Sequence, residues 1–249
     1  MAATIGGAGF VAGATVKIGG MPATGVTVTD ATHIHATVPA RPAGSLNDVA
    51  VTNPGNATGT LGEGWMADFL DVPPSNPFHG DVVVLVRSGI TAGCSGGNYC
   101  PGNSVTRAQM AVFLLRAEHG AAYQPPAATG AVFLDVPAGS FAAAWIERLA
   151  AEGITGGCGG GNYCPGAPVT RAQMAPLLLR TEHGPAYQPP AATGDVFSDV
   201  PVGAFAAAWI ERLYAEGVTA GCGGGKYCPS APTRRGQMAS FLVRTFDLP

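Results

Sequence analysis

Apolar positions along the chain follow two different rhythms. Over the first sixty residues they come in short β-branched runs, Thr15-Val16-Lys17-Ile18, Val26-Thr27-Val28-Thr29 and Val49-Ala50-Val51-Thr52, separated by Gly and Pro turns. That pattern predicts strands of a small β domain. His33 and His35 alternate along one such strand and therefore share a face. Further on, the spacing becomes helical. Phe141, Trp145 and Leu149 fall at i, i+4 and i+8 with Ile146 beside them, a bulky stripe on an Ala-rich helix that stops at Gly153. Phe205, Trp209 and Leu213 repeat the stripe before Gly217. A second kind of helix carries Met110, Phe113, Leu114 and Ala117 at i, i+3, i+4 and i+7, preceded by Thr106 and ended near Gly120.

The helical part is one design written three times. Asp71, Asp135 and Asp199 are 64 residues apart, and so are Cys94, Cys158 and Cys222, Cys100, Cys164 and Cys228, and Arg107, Arg171 and Arg235. Such a fixed period marks a repeat architecture, here helix, loop, helix in each copy. The first copy is degenerate, with Pro77-Phe78-His79-Gly80-Asp81 where the others read Phe-Ala-Ala-Ala-Trp. Thr106 with Gln109, and Thr170 with Gln173, have the spacing of a capping box, in which both side chains satisfy orphan backbone donors. The third copy places Arg234 at the cap before Gln237. Pro176 lies inside the second helix of the middle copy and predicts a kink there. The expected boundaries are a β domain over 1–62 and repeats over 66–123, 124–187 and 188–249.

Each repeat encloses a Gly-rich loop between two cysteines with five residues between them, Cys94 and Cys100, Cys158 and Cys164, Cys222 and Cys228. No histidine sits in these loops, and zinc sites pair closer cysteines with a second ligand pair, so a metal would need ligands from elsewhere. An even count in an even frame reads as three local disulfides and an oxidising, extracellular compartment. The C-x-x-C spacing of redox catalysts is absent. Closing so short a loop contributes roughly 2 kcal/mol by chain entropy.

Composition narrows the function. The 249 residues include 37 Gly and 21 Pro but only 12% charged positions, while 47% are hydrophobic, which argues against disorder. A net charge of −3 offers no basic field for nucleic acid and no polybasic patch for anionic lipid. No apolar run reaches the ~20 residues of a membrane span. Eleven of the thirteen basic residues are Arg, a bias toward the planar fork that binds carboxylates and carbonyls. So little charge leaves a surface of small apolar groups, which favours contact with other subunits or a matrix.

The order F-x-D-V, an amphipathic helix ending in G-[IV]-T-x-G, a Gly-rich loop closed by Pro, and T-R-A-Q opening a second helix resembles the S-layer homology family over residues 66 to 249. The resemblance implies a pseudo-threefold arrangement of three repeats with the first helices central. It also implies grooves that bind anionic, often pyruvylated, cell-wall polysaccharide. Carried over, the groove residues are Arg107, Arg171 and Arg235 together with Gln109, Gln173 and Gln237. Gln stands where the family motif has Glu, and the third copy reads Arg-Arg-Gly-Gln. The residues themselves allow two readings of the arginines. A fork at a helix N-terminus suits a carboxylate, and it equally suits a carbonyl of the neighbouring repeat. The string G-x-G-F-x-x-G-A-T-V-x-I-G-G with D-V-x-V-T-N-P resembles the IPT/TIG immunoglobulin-like family, with its opening strand missing, and implies a spacer or adhesive module with an open edge.

The expected fold is therefore α+β and multidomain, an immunoglobulin-like β-sandwich followed by three helix-loop-helix repeats. His119 and His183, each at a helix end, read as favourable charges on the negative end of the dipole. Asp71, Asp135 and Asp199, each before Val-Pro, read as turn organisers, with calcium the alternative. Trp145 and Trp209 read as core, with sugar stacking the alternative. No phosphate-binding loop, nucleophile elbow or His-Glu metalloprotease helix occurs. The expectation is a non-catalytic extracellular surface protein with no cofactor, no metal, no nucleic acid and no membrane insertion. Its expected partners are envelope polysaccharide, copies of itself in a filament or lattice, or both.

Overall fold

The computed structural model describes residues 1–249. It divides into two compact units, a β unit of Met1–Ser75 with Gly93–Tyr99 and a helical unit of Asn76–Ala92 with Cys100–Pro249.

In the β unit seven strands form two antiparallel sheets. They are β1 (Ala2–Gly6), β2 (Thr15–Ile18), β3 (Met21–Pro22), β4 (Thr24–Asp30), β5 (His33–Thr37), β6 (Leu46–Thr52) and β7 (Thr58–Met66). One sheet has the order β1-β5-β4 and the other β3-β2-β6-β7. The period-two pattern decides which side chains are buried: Val16 and Ile18 of β2, Ile34 of β5, and Val49 and Val51 of β6 meet between the sheets. The intervening positions face solvent, among them His33 and His35. His33 pairs with Asp30 at 3.0 Å, and His35 Nδ1 lies 3.0 Å from the Thr4 hydroxyl. The edge strand β1 pairs with β5 along one side only. The lead-in and cysteine loop of the first repeat pack within this unit. Asp71 Oδ1 accepts the Tyr99 N–H at 2.8 Å, and the Phe69 and Tyr99 rings meet at 5.7 Å.

The helical unit contains α1 (His79–Arg87), α2 (Arg107–His119), α3 (Ala143–Ala151), α4 (Arg171–His183), α5 (Ala207–Ala215) and α6 (Arg235–Thr245). The second helices of the three repeats, α2, α4 and α6, pack on one another at the centre. Each first helix lies outside, α3 on α2, α5 on α4 and α1 on α6, so the ring of repeats closes. This corrects the expectation of central first helices. The reason is apolar coverage: α2 buries Met110, Ala111, Phe113, Leu114 and Leu115, whereas α3 buries only Ala143, Ile146 and Leu149.

One local expectation also changes. Phe141 and Phe205 are not part of the helical stripe. They are 70% and 68% exposed, because Ala142 and Ala206 adopt left-handed backbone (φ 60° and 61°) and the helices start after them. Pro176 does not divide its helix, since α4 runs from Arg171 to His183 with Met174, Ala175, Leu178 and Leu179 buried around it. Trp145 is partly covered, with Arg116 5.4 Å over its ring and Tyr123 edge-on at 6.0 Å, and Trp209 is held alike by Arg180 and Tyr187. Cys158 bonds Cys164 and Cys222 bonds Cys228. Cys94 and Cys100 are also disulfide-bonded, leaving no free cysteine.

Candidate functional site

The site is the joint between one repeat's second helix and the next repeat's cysteine loop. Thr106 starts α2 through a complete capping box, its hydroxyl accepting the Gln109 N–H and Gln109 Oε1 accepting the Thr106 N–H at 3.1 Å. Thr170 and Gln173 do the same for α4. At α6 the half supplied by Gln237 remains, accepting the Arg234 N–H at 3.2 Å. Each of these glutamine oxygens is therefore a helix cap.

The remaining first-turn donors are taken by the neighbouring repeat. Arg107 N–H donates to Ala167 and Ala108 N–H to Pro165; Arg171 and Ala172 reach Ala231 and Pro229, and Arg235 and Gly236 reach Asn103 and Pro101. The positive dipole ends are thus satisfied by backbone carbonyls. One residue before each cap, a three-membered ring closes the assembly: Val105 N–H donates to Thr233, Val169 to Val105, and Thr233 to Val169, all at 2.8 to 2.9 Å.

The arginines are buried, with Arg107 7%, Arg171 3% and Arg235 5% exposed. Arg107 Nε donates to the Tyr163 carbonyl at 2.7 Å while the Tyr163 hydroxyl donates back to the Arg107 carbonyl at 2.8 Å, and the guanidinium lies 4.7 Å over the Tyr163 ring. Arg171 and Tyr227 form the same reciprocal pair at 2.7 and 2.9 Å, with a stacking distance of 4.5 Å. Arg235 lies 5.5 Å over the Phe113 ring. Burial holds the Tyr163 and Tyr227 hydroxyls up at about 12, and burial lowers the Arg171 pKa. Arg171 Nη2 is buried with no hydrogen-bond partner.

Sequence reasoning missed the tyrosines. Their signal was present, since Tyr99, Tyr163 and Tyr227 each precede the second cysteine of a loop.

The loop that carries each tyrosine is held from below by an aspartate. Asp135 Oδ1 accepts the Tyr163 N–H and Oδ2 the Cys164 N–H, both at 2.7 Å, and Asp199 accepts from Tyr227 and Cys228 at 2.8 and 2.9 Å. The hydrogen bond from Tyr163 is the main cause of the lowered Asp135 carboxyl. At Asp199 burial pushes upward, and the bonds from Tyr227 and Cys228 outweigh it. Gly157, at φ 87°, lets the chain pass beneath the loop, where an added Cβ would collide with the Asn162 carbonyl.

A second joint links each second helix to the following first helix. His119 Nε2 is 3.0 Å from Glu152 Oε1, which also accepts Arg148 Nε at 2.5 Å, and the histidine ring stacks on Tyr123 at 4.4 Å. His183, Glu216, Arg212 and Tyr187 repeat it. Glu118, His119 and Glu152 each bring a ligand atom within 4.8 Å of the others. In this structure the His119 nitrogen and a Glu152 oxygen are spent on each other.

Three stretches match the S-layer homology domain, residues 68–111, 132–175 and 196–239, together more than half of the chain. The chain belongs to the S-layer homology family. Each match runs from the lead-in to a first helix into the opening turns of a second, so it includes the aspartate clamp, the cysteine loop and the arginine of one repeat. Residues 3–63 match the IPT/TIG domain, which covers nearly all of the β unit's strands. A protein described as "Cell surface protein" from Thermoanaerobacter kivui is 32% identical over 113 residues, covering 45% of this chain and 15% of the relative. This S-layer homology protein is accordingly a bacterial cell-surface protein built from non-enzymatic kinds of surface module. No helix is long and apolar enough to cross a membrane.

Proposed function

We propose that the three S-layer homology repeats attach the protein to an anionic polysaccharide of the cell envelope, without catalysis, and that the β unit serves as a spacer. Membership of the family through all three repeats carries this reading. At the residue level Arg171 sits at an inter-repeat joint, its guanidinium packed on Tyr227 and its Nη2 without a hydrogen-bond partner. Arg107 and Arg235 occupy the corresponding joints, and Gln109, Gln173 and Gln237 keep the helix starts that present them.

The test is co-sedimentation of the oxidised protein with purified envelope polysaccharide, before and after the polymer's carboxylates are amidated. Binding that disappears on amidation is expected. Equal binding to both polymers, or to neither, overturns the reading. Arg171→Lys keeps a charge but loses the fork, and it is expected to weaken binding about tenfold at an unchanged helical CD spectrum.

A second reading, in which copies assemble into an extracellular filament or lattice, is favoured by the scarcity of charge and by an open apolar seam between β1 and β7.

A further inference from the structure

The β unit is closed on one side and open on the other. On the closed side β3 leads directly into β4 through Ala23, Pro22 sits in β3, and β4 is bulged twice and ends on Asp30. Proline, bulges and charge are the devices that keep a sheet edge from pairing with another chain. Of the two edges on the other side, β1 has none of them, while β7 is bulged between Leu61 and Trp65 and carries Glu63. There β1 and β7 border a cavity of about 520 Å3 whose lining includes Phe10, Ile18, Val49, Val51 and Trp65 and not one charged residue. Leu61 of β7 stands 65% exposed beside it.

The backbone on this side is unpaired in a definite register. Val38 N–H donates to Met1 and Gly7 N–H to Thr32, so the odd-numbered residues of β1 bond β5 and the N–H and C=O groups of Ala2, Thr4 and Gly6 point outward. On β7 the bond from Asn53 N–H to Ala57 leaves Thr58 and Thr60 outward in the same way. Side chains of Ala3 and Ile5 meanwhile turn to the core.

We propose that this seam is a self-docking edge at which β1 pairs antiparallel with β1 of a second copy, joining two three-stranded sheets into one of six. The outward groups are self-complementary about Thr4: Thr4 meets its own counterpart, and Ala2 meets Gly6 of the second copy. A two-fold axis at Thr4 thus pairs the outward groups of Ala2, Thr4 and Gly6 in both copies at once, as an isologous interface requires. The uncharged lining repels no second copy, and seam-to-seam contact takes both apolar cavities out of water. The proposal deepens the assembly reading and is independent of polysaccharide binding, because its test contains no polysaccharide.

Sedimentation velocity of the oxidised chain across the micromolar range is expected to show a monomer-dimer equilibrium. Thr4→Pro removes the central outward N–H from both copies and is expected to abolish the dimer at unchanged circular dichroism. Thr4→Lys and Thr4→Glu, at an exposed position, each place like charges opposite one another and are expected to weaken dimerisation about fivefold, whereas their equimolar mixture restores it. That rescue separates pairing at Thr4 from a folding defect. A chain that stays monomeric throughout, or a dimer untouched by Thr4→Pro, overturns the proposal.

Discussion

At the threefold hub the repeats differ by one atom group. Val105 and Val169 fill two of three equivalent places and Thr233 the third, fully buried, with its hydroxyl unpartnered. A buried hydroxyl without a partner costs about 1 to 3 kcal/mol relative to an apolar group of the same shape. Thr233→Val, which copies the other two repeats, is expected to raise the unfolding free energy by about 1 kcal/mol in urea denaturation, with an unchanged slope. The arginines one turn away behave oppositely. Arg107 and Arg171 are enclosed by aromatic rings and a carbonyl, so their removal strands that acceptor and empties a stacked space. Any variant used to probe binding there has to keep a long cationic side chain.

Among the elements, the cysteine loop is the part with least secondary structure and most restraint. A disulfide closes it, an aspartate takes two of its N–H groups, and its tyrosine locks the preceding repeat's helix. The aspartate makes the restraint sensitive to acid. Asp135 and Asp199 titrate below the ordinary carboxylate value in the fold, so the unfolded chain takes up their protons first. Their contribution is complete above the unfolded value and is lost as pH falls through the depressed folded values. Glu147 adds to this, lowered chiefly by the Thr129 N–H. Glu118 and Glu182 act with the other sign, because burial raises both and protonation on the way down relieves it. Melting temperature is therefore expected to hold or rise slightly as pH falls from 7 toward the ordinary glutamate value, and to drop steeply below about 4. Asp135→Asn, which keeps one acceptor, is expected to flatten that drop in pH-dependent calorimetry.

On the scale of the whole molecule, the consequential feature is that the helical unit is a closed ring. α1 of the first repeat packs on α6 of the third, where Asp81 accepts a hydrogen bond from Ser240, and the backbone ring of Val105, Val169 and Thr233 has no free end. A linear repeat array loses stability in proportion when a terminal repeat is removed. Here deletion of residues 188–249 opens the hub, uncovers the central faces of α2 and α4, and strips α1 of its partner. The expected outcome is loss of the cooperative helical transition in far-UV circular dichroism, with no partly stable two-repeat remnant.

Much of this was legible in the residues. The period of 64, the capping boxes, the helix-ending glycines and the cysteine frame all depend on neighbours within a few positions, where backbone sterics and local hydrogen bonding act alone. The β domain's alternating runs were likewise visible, although β1 and β7, rich in Ala, Gly and Thr, carry too weak a pattern to be read as strands. What needed the tertiary structure was every pairing between repeats. Arg107 and Tyr163 are 56 positions apart, and no local rule chooses between a carbonyl and a ligand as the fork's partner. The central place of the second helices and the three-way hub follow from how apolar faces are shared out when the ring closes. That closure is a property of three repeats together, because a single repeat cannot bury both of its helices.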